Sequence, residues 1–180
     1  VPVLNSTALK DLPDQLEELS CISLHHGPKD RLPSGLTSFS GRYNSSGLFC
    51  LSPSQLPRNL RSLNLCGAEI KKNTWFTNFP LTLTTLQLKD VKGISPTMIA
   101  PLHDSNLSTL VLHLKDDLCH RRLGDMVAYL PRGLLIWTVM FVKSPKTDSG
   151  LTDIHMARLP RSLVRIQLPP SSQITAEGTS

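Results

Sequence analysis

The sequence predicts an α/β solenoid. It should be a right-handed coil with one curved parallel sheet of about seven short strands and short helices or 3₁₀ turns on its convex side. Three observations carry this expectation. An anchor phrase, Leu-Pro followed by a leucine and then two more apolar residues at spacings of three and two, occurs with variations seven times. The first strand leucines, Leu16, Leu36, Leu60, Leu83, Leu107, Leu134 and Leu163, follow one another at intervals of 20, 24, 23, 24, 27 and 29 residues. Leucine is the commonest residue type and only nine of the 180 residues are aromatic, which suits a core built from one aliphatic side chain repeated along the chain.

Residues 151–168 show the plan of a unit. Leu151, Met156 and Leu159 are spaced for one face of a short helix, and Leu163, Ile166 and Leu168 are the inward positions of the strand that follows. One such unit cannot bury its apolar edges alone and needs copies on either side. In chain order, Leu12-Pro13 leads to Leu16, Leu19 and Cys21. Leu32-Pro33 leads to Leu36 and Phe39, with Gly41 in the last position, where a bulge or strand end is expected. Leu56-Pro57 leads to Leu60, Leu63 and Leu65, and Phe79-Pro80 to Leu83, Leu86 and Leu88. The fifth unit has His103 in place of proline and one extra residue, so Leu102 leads to Leu107, Leu110 and Leu112. Leu130-Pro131 leads to Leu134, Trp137 and Val139, and Leu159-Pro160 closes the series. Strands should centre near residues 19, 39, 63, 86, 110, 137 and 166. On the convex side, Ser95 before Pro96 and Thr152 before Asp153 read as helix starts. The stretch KKNTWFTN is too short and too β-branched for more than a turn. The anchor proline ends each helix and sets the entry into the strand.

These residues resemble a leucine-rich repeat protein, with the longer units similar to the ribonuclease-inhibitor-like class, in which a helix follows each strand. The resemblance covers nearly the whole chain and implies a binding scaffold rather than an enzyme. The asparagine that many members place after the strand has no consistent counterpart in CGAEI, KDVKGI or HLKDDL. Residues 1–180 read as a single solenoid. The chain opens in mid-unit and closes on the start of another, so the expectation is a fragment of a longer array whose uncapped ends self-associate.

Composition bounds the function. The net charge of +5 is spread along the chain, and the basic doublets Lys71-Lys72 and Arg121-Arg122 lack the interleaved aromatics that stack bases, so nucleic acid is an unfavoured partner. No apolar stretch approaches the roughly 18 to 20 residues of a membrane helix. Cys21, Cys50, Cys66 and Cys119 show no paired spacing, and Cys21 occupies a strand position that leucine fills elsewhere, which makes it a small buried apolar residue. The scattered cysteines lean toward an intracellular, reducing compartment, while the sequons at Asn5, Asn44 and Asn106 leave a secreted or surface setting open. His25, His26, His103, His113, Cys119, His120 and His155 lack metal-ligand spacing, and Asp116-Asp117 reads as a solvated turn. No nucleophile elbow, phosphate loop or paired carboxylate appears, so no catalytic residue, metal or cofactor is expected.

The candidate site is the concave sheet face. One outward column should hold Glu18, Ser38, Ser62, Thr85, Thr109, Ile136 and Arg165, and the next Ser20, Ser40, Asn64, Gln87, Val111, Thr138 and Gln167. From Ser62 onward these are the expected contacts to a protein partner. Their small neutral groups hydrogen-bond but neither polarise nor protonate a substrate. Val111 and Ile136, with Met140 and Phe141 beyond Trp137, make the C-terminal half less polar, although Phe141 also suits the core. A solvated face that binds nothing, in a purely structural segment, is the plain alternative. A further one is anion or nucleic-acid binding along an edge bearing Arg58, Arg132 and Arg161, each directly after an anchor Leu-Pro.

Overall fold

The structure, a computed structural model, describes residues 3–4, 6–21, 23–24, 31–42, 55–67, 70, 75–115, 122–141 and 150–169. In chain order the strands are β1 (Val3–Leu4), β2 (Glu18–Cys21), β3 (Ser23–Leu24), β4 (Ser38–Arg42), β5 (Ser62–Cys66), β6 (Thr85–Val91), β7 (Thr109–Leu114), β8 (Ile136–Phe141) and β9 (Arg165–Gln167). The helices are α1 (Ser6–Lys10), α2 (Leu123–Val127), α3 (Asp153–Met156) and a 3₁₀ helix over Pro96–Leu102. Strands β2, β4, β5, β6, β7, β8 and β9 form one sheet of seven parallel strands laid side by side in that order, and β1 pairs with β3 in a separate two-stranded sheet. The chain is thus an α/β protein with a single main sheet and few short helices.

Pairing is in register from strand to strand. Leu19, Phe39, Leu63, Leu86, Leu110, Trp137 and Ile166 form one row, and Cys21, Gly41, Leu65, Leu88, Leu112 and Val139 another. A side-chain period of two puts both rows on the same face. That face is buried across the middle of the sheet, where Leu63, Leu65, Leu86, Leu88, Leu110, Leu112, Trp137 and Val139 are wholly inaccessible. Residues from the connecting segments join the same cluster, among them Ile94, Ile99, Leu102, Leu123, Met126 and Leu151. Trp75, Phe76 and Phe79 add an edge-to-face aromatic trio with ring centroids 4.9–5.7 Å apart, on the approach to β6.

The anchor phrase has a backbone reason. In six units the proline carbonyl accepts the N–H of the leucine three residues on, at 3.0–3.3 Å, closing a turn at Leu16, Leu36, Leu60, Leu83, Leu134 and Leu163. In the fifth unit, which lacks the proline, the N–H of Ser105 reaches the Leu102 carbonyl instead. Just before each strand, one carbonyl accepts two successive N–H groups of the next unit: Glu17 from Thr37 and Ser38, Thr37 from Arg61 and Ser62, and so on through Arg61, Thr84, Ser108 and Leu135. Thr37, Thr84 and Ser108 add their hydroxyls to these carbonyls at 3.2 Å. The residue preceding the first strand leucine ties units together as well. Thr82 shares its hydroxyl proton between the Arg58 and Leu60 carbonyls (2.6 and 2.9 Å), and Ser162 does the same at Arg132 and Leu134 (2.9 and 2.7 Å). The Asn106 amide donates to the Leu81 carbonyl at 2.8 Å. Gly35 holds the equivalent place with its N–H 2.8 Å from the Asp14 carbonyl, and a Cβ there would stand 2.6 Å from that oxygen.

Several expectations are corrected. Gly41 marks neither a bulge nor a strand end. It is paired between Cys21 and Leu65 inside β4, and the Phe39 ring occupies the space a larger residue would need, 3.1 Å from where its Cβ would lie. One large ring and one glycine replace the usual pair of leucines. Gly41→Leu alone should therefore cost about 1–3 kcal/mol by overpacking. Phe39→Leu combined with Gly41→Leu should recover most of that loss in urea denaturation. The bulge lies instead in β6, where the register to β7 shifts between Leu88 and Val91 and Asp90 takes a left-handed φ of 56°. Ser95 starts a 3₁₀ rather than an α-helix, and its hydroxyl meets the Thr97 hydroxyl at 3.1 Å instead of capping the backbone. Pro101 inside that segment removes a donor and would clash in an α-helix. Thr152 does start α3 as expected, and its N–H donates to the His155 imidazole Nδ1 at 3.2 Å, so histidine takes the role that Glu has in a capping box. Asn5, His25, His26, Asn44, Cys50, Lys71, Lys72, Asp116, Asp117, Cys119, His120, Arg121 and the C-terminal segment from residue 170 lie outside the described residues.

Candidate functional site

The same alternation that buries the leucines turns two rows of side chains to the open face. Glu18, Ser38, Ser62, Thr85, Thr109, Ile136 and Arg165 are adjacent in that order, as are Ser20, Ser40, Asn64, Gln87, Val111, Thr138 and Gln167. All ten expected contact residues from Ser62 to Gln167 therefore share one surface. Ser62, Asn64, Thr85, Gln87, Thr109, Val111 and Ile136 are half-buried, while Arg165 and Gln167 are exposed. Thr138 is the exception at 8% exposed, flanked in register by Val111 and Gln167, so it offers a partner almost no surface. Phe141 faces the other way, paired with Leu114 and packed against the core, whereas Met140 is outward opposite His113.

A third outward row extends the surface beyond the two named from the sequence. Arg42, Cys66 and Lys89 are consecutive in register, and His113 and Met140 continue it past the β6 bulge. Simple continuation of the period-two alternation would have found it. This row brings charge to the middle of the sheet, where the first two rows, charged only at Glu18 and Arg165, are neutral. Cys66 donates its S–H to Asp90 at 3.8 Å, and the Gln167 amide reaches the Met140 sulfur, also at 3.8 Å. Burial, and then the Lys89 charge, push the His113 imidazole below its usual pKa, with Asp90 opposing them. The surface thus runs from neutral hydroxyls and amides at its middle to a mixed polar, thioether and cationic margin.

Cys21 lies on the opposite, buried face at 4% exposed and is a free thiol. Burial pushes its pKa up, because the thiolate would lose its water. The folded state therefore favours the protonated thiol, and this contribution is fully present below the pKa of the unfolded chain, about 8.5. It is lost as pH rises through that value toward the raised one. Urea midpoints measured between about pH 7 and pH 10 should fall more steeply for the wild type than for Cys21→Ala.

The arginine edge is divided. Arg58 lines a cleft with Leu56, Asn78, Phe79, Pro80, Leu81 and Thr82, whereas Arg132 and Arg161 share another with His103 and Arg158. They do not form one ladder. His103, which replaces the anchor proline, bonds to the following unit: its Nδ1 lies 3.1 Å from the Leu130 carbonyl and its Nε2 accepts from Arg132 Nε at 3.1 Å. Among the described residues no three His, Cys, Asp or Glu side chains come together as a metal site, and no helix is long and apolar enough to cross a membrane. Compared with protein-family models, with curated proteins and with solved structures, the chain gives no match.

Proposed function

We propose that the chain is a leucine-rich repeat solenoid acting as a non-catalytic recognition scaffold, with a protein partner seated on the open, concave face of the sheet. The observation that carries this reading is the continuity of the outward rows. Short neutral side chains at Ser62, Asn64, Thr85, Gln87 and Thr109 stand in unbroken register and grade into Val111, Ile136 and Met140. Hydroxyls and amides beside an apolar patch suit a protein interface with a less polar centre and a hydrogen-bonding rim. The leucine-rich repeat reading draws its support from the recurring anchor turn, the strand-per-unit order and intervals of 20 to 29 residues.

The test compares the wild type with Gln87→Arg/Val111→Arg, which places two bulky cations mid-face, and with Arg58→Ala, which alters only an edge. Proteins retained by each immobilised chain are quantified by mass spectrometry after circular dichroism has verified folding. The proposal expects a set of proteins held by the wild type and by Arg58→Ala but weakened more than about tenfold by the face variant, as for truncation or blockage of a hot spot. A retained set indifferent to the face variant sinks it. If retention falls log-linearly with salt and follows Arg58, an edge that reads anions is the better account.

A further inference from the structure

We infer that the cleft between the fifth, sixth and seventh anchors binds a phosphate monoester dianion. This site is distinct from the sheet face and does not depend on it. The cleft encloses about 370 Å³, and His103, Arg132, Arg158 and Arg161 line it, with Val127 and Pro160 among its apolar walls. Three guanidinium groups contributed by two successive units face one concavity, and no carboxylate lines it. Asp104 follows His103 in sequence but is not part of the lining. Among the described residues the arginine that makes an ion pair is Arg122, with Asp125 at 2.9 Å, on the exposed side of α2. Arg132, Arg158 and Arg161 have no described carboxylate within ion-pair distance.

The geometry orients one of these groups in advance. The Arg132 Nε–H donates to His103 Nε2, which requires that nitrogen to carry a lone pair, so the imidazole proton sits on Nδ1 and is donated to the Leu130 carbonyl. The Arg132 backbone N–H also points at the His103 carbonyl, at 3.4 Å. With its Nε occupied, Arg132 keeps its two terminal nitrogens for a ligand. Arg158 leaves the turn after α3 and Arg161 follows Pro160, so the second unit brings its charges to the same space from both sides of one anchor. Like charges gathered without a counter-charge repel, and a ligand of charge about −2 relieves that repulsion better than a single carboxylate. A phosphate monoester carries that charge at neutral pH, and its three terminal oxygens match the forked donors of several arginines. The apolar wall at Val127 and Pro160 leaves room for the ester carbon on the remaining side.

The experiment is isothermal titration of the full chain with O-phosphoserine in a phosphate-free chloride buffer. Arg158→Gln/Arg161→Gln is the test variant, and Arg58→Gln, in the separate cleft, is the control. Saturable binding by the wild type and by Arg58→Gln, weakened at least tenfold in the double variant, supports the proposal. Should the double variant melt earlier than the wild type, the single Arg161→Gln is read in its place, with at least threefold weakening expected. A phosphoserine peptide binding more tightly than glycerol 3-phosphate assigns the ligand to a protein segment, and the reverse order assigns it to a small phosphate ester. Either order supports the site. No saturable binding, binding unchanged by loss of these arginines, or equal binding of free serine overturns it.

Discussion

Replacing Trp137 by alanine is expected to destabilise the protein by about 3–5 kcal/mol, the largest loss of any single truncation in the sheet. Trp137 is the largest of the wholly buried side chains, and it stands in a row where its neighbours Leu110 and Ile166 are aliphatic. The intervals of 27 and 29 residues on either side of its unit are the longest in the chain, so the crossovers there have the most material to surround an indole. Leu123 and Met126 of α2, both wholly inaccessible, belong to the same core cluster. The indole N–H is buried without an acceptor among the described residues. A buried donor left unsatisfied costs about 1–3 kcal/mol, so Trp137→Phe removes packing and that penalty together. Its loss should be well under half that of Trp137→Ala, as read from urea midpoints at constant m-value. Equal losses for the two variants would mean that the N–H finds a partner and contributes to stability.

Replacing Leu86 by alanine should cost roughly 2–5 kcal/mol, since the side chain is wholly buried at the centre of the sheet and packs against units on both sides. Its row neighbours Leu63 and Leu110 are equally inaccessible, so neither can turn outward to fill the cavity without losing its own contacts. Ile166 occupies the same row at the edge of the sheet, where it is 38% exposed and pairs through Trp137 on one side. Ile166→Ala should therefore cost no more than about 1 kcal/mol, because much of its surface is already in water. Thermal or urea unfolding of the pair checks the gradient, and similar losses at the two positions would contradict a core graded from centre to edge.

The sheet was legible because two local signals agree. The anchor turn sets where each strand begins, and alternation then decides which residues face the core, so the rows through Leu63 and through Asn64 follow without any knowledge of long-range contacts. What stayed hidden depends on neighbours distant in sequence or on competing local chemistry. Gly41 reads as a break until the Phe39 ring is seen lying over it. Thr138 reads as surface because its burial is not a property of its own segment. The ties made by Thr82, Asn106 and Ser162 were open to reading, since small or polar residues recur just before the strand leucine, but they lie outside the strand where alternation directs attention. Arg158 escaped the arginine edge because it precedes an anchor instead of following one, and only the crossover geometry brings it beside Arg132 and Arg161.

The face of the sheet that each residue occupies separates the core from the proposed recognition surface, and a slip of one residue would exchange the two. Single cysteines placed in turn at positions 62, 64, 85, 87, 109 and 111, and at 63, 65, 86, 88, 110 and 112, test this directly. The background has Cys21→Ala and the other three cysteines replaced by serine. Labelling of the native protein with a maleimide should alternate along each strand. The first set should react at rates within about tenfold of an exposed thiol, and the second only through opening of the structure. Fast labelling at 63, 86 and 110 with protection at 64, 87 and 111, or equal labelling throughout, would contradict the register on which the proposed recognition face depends.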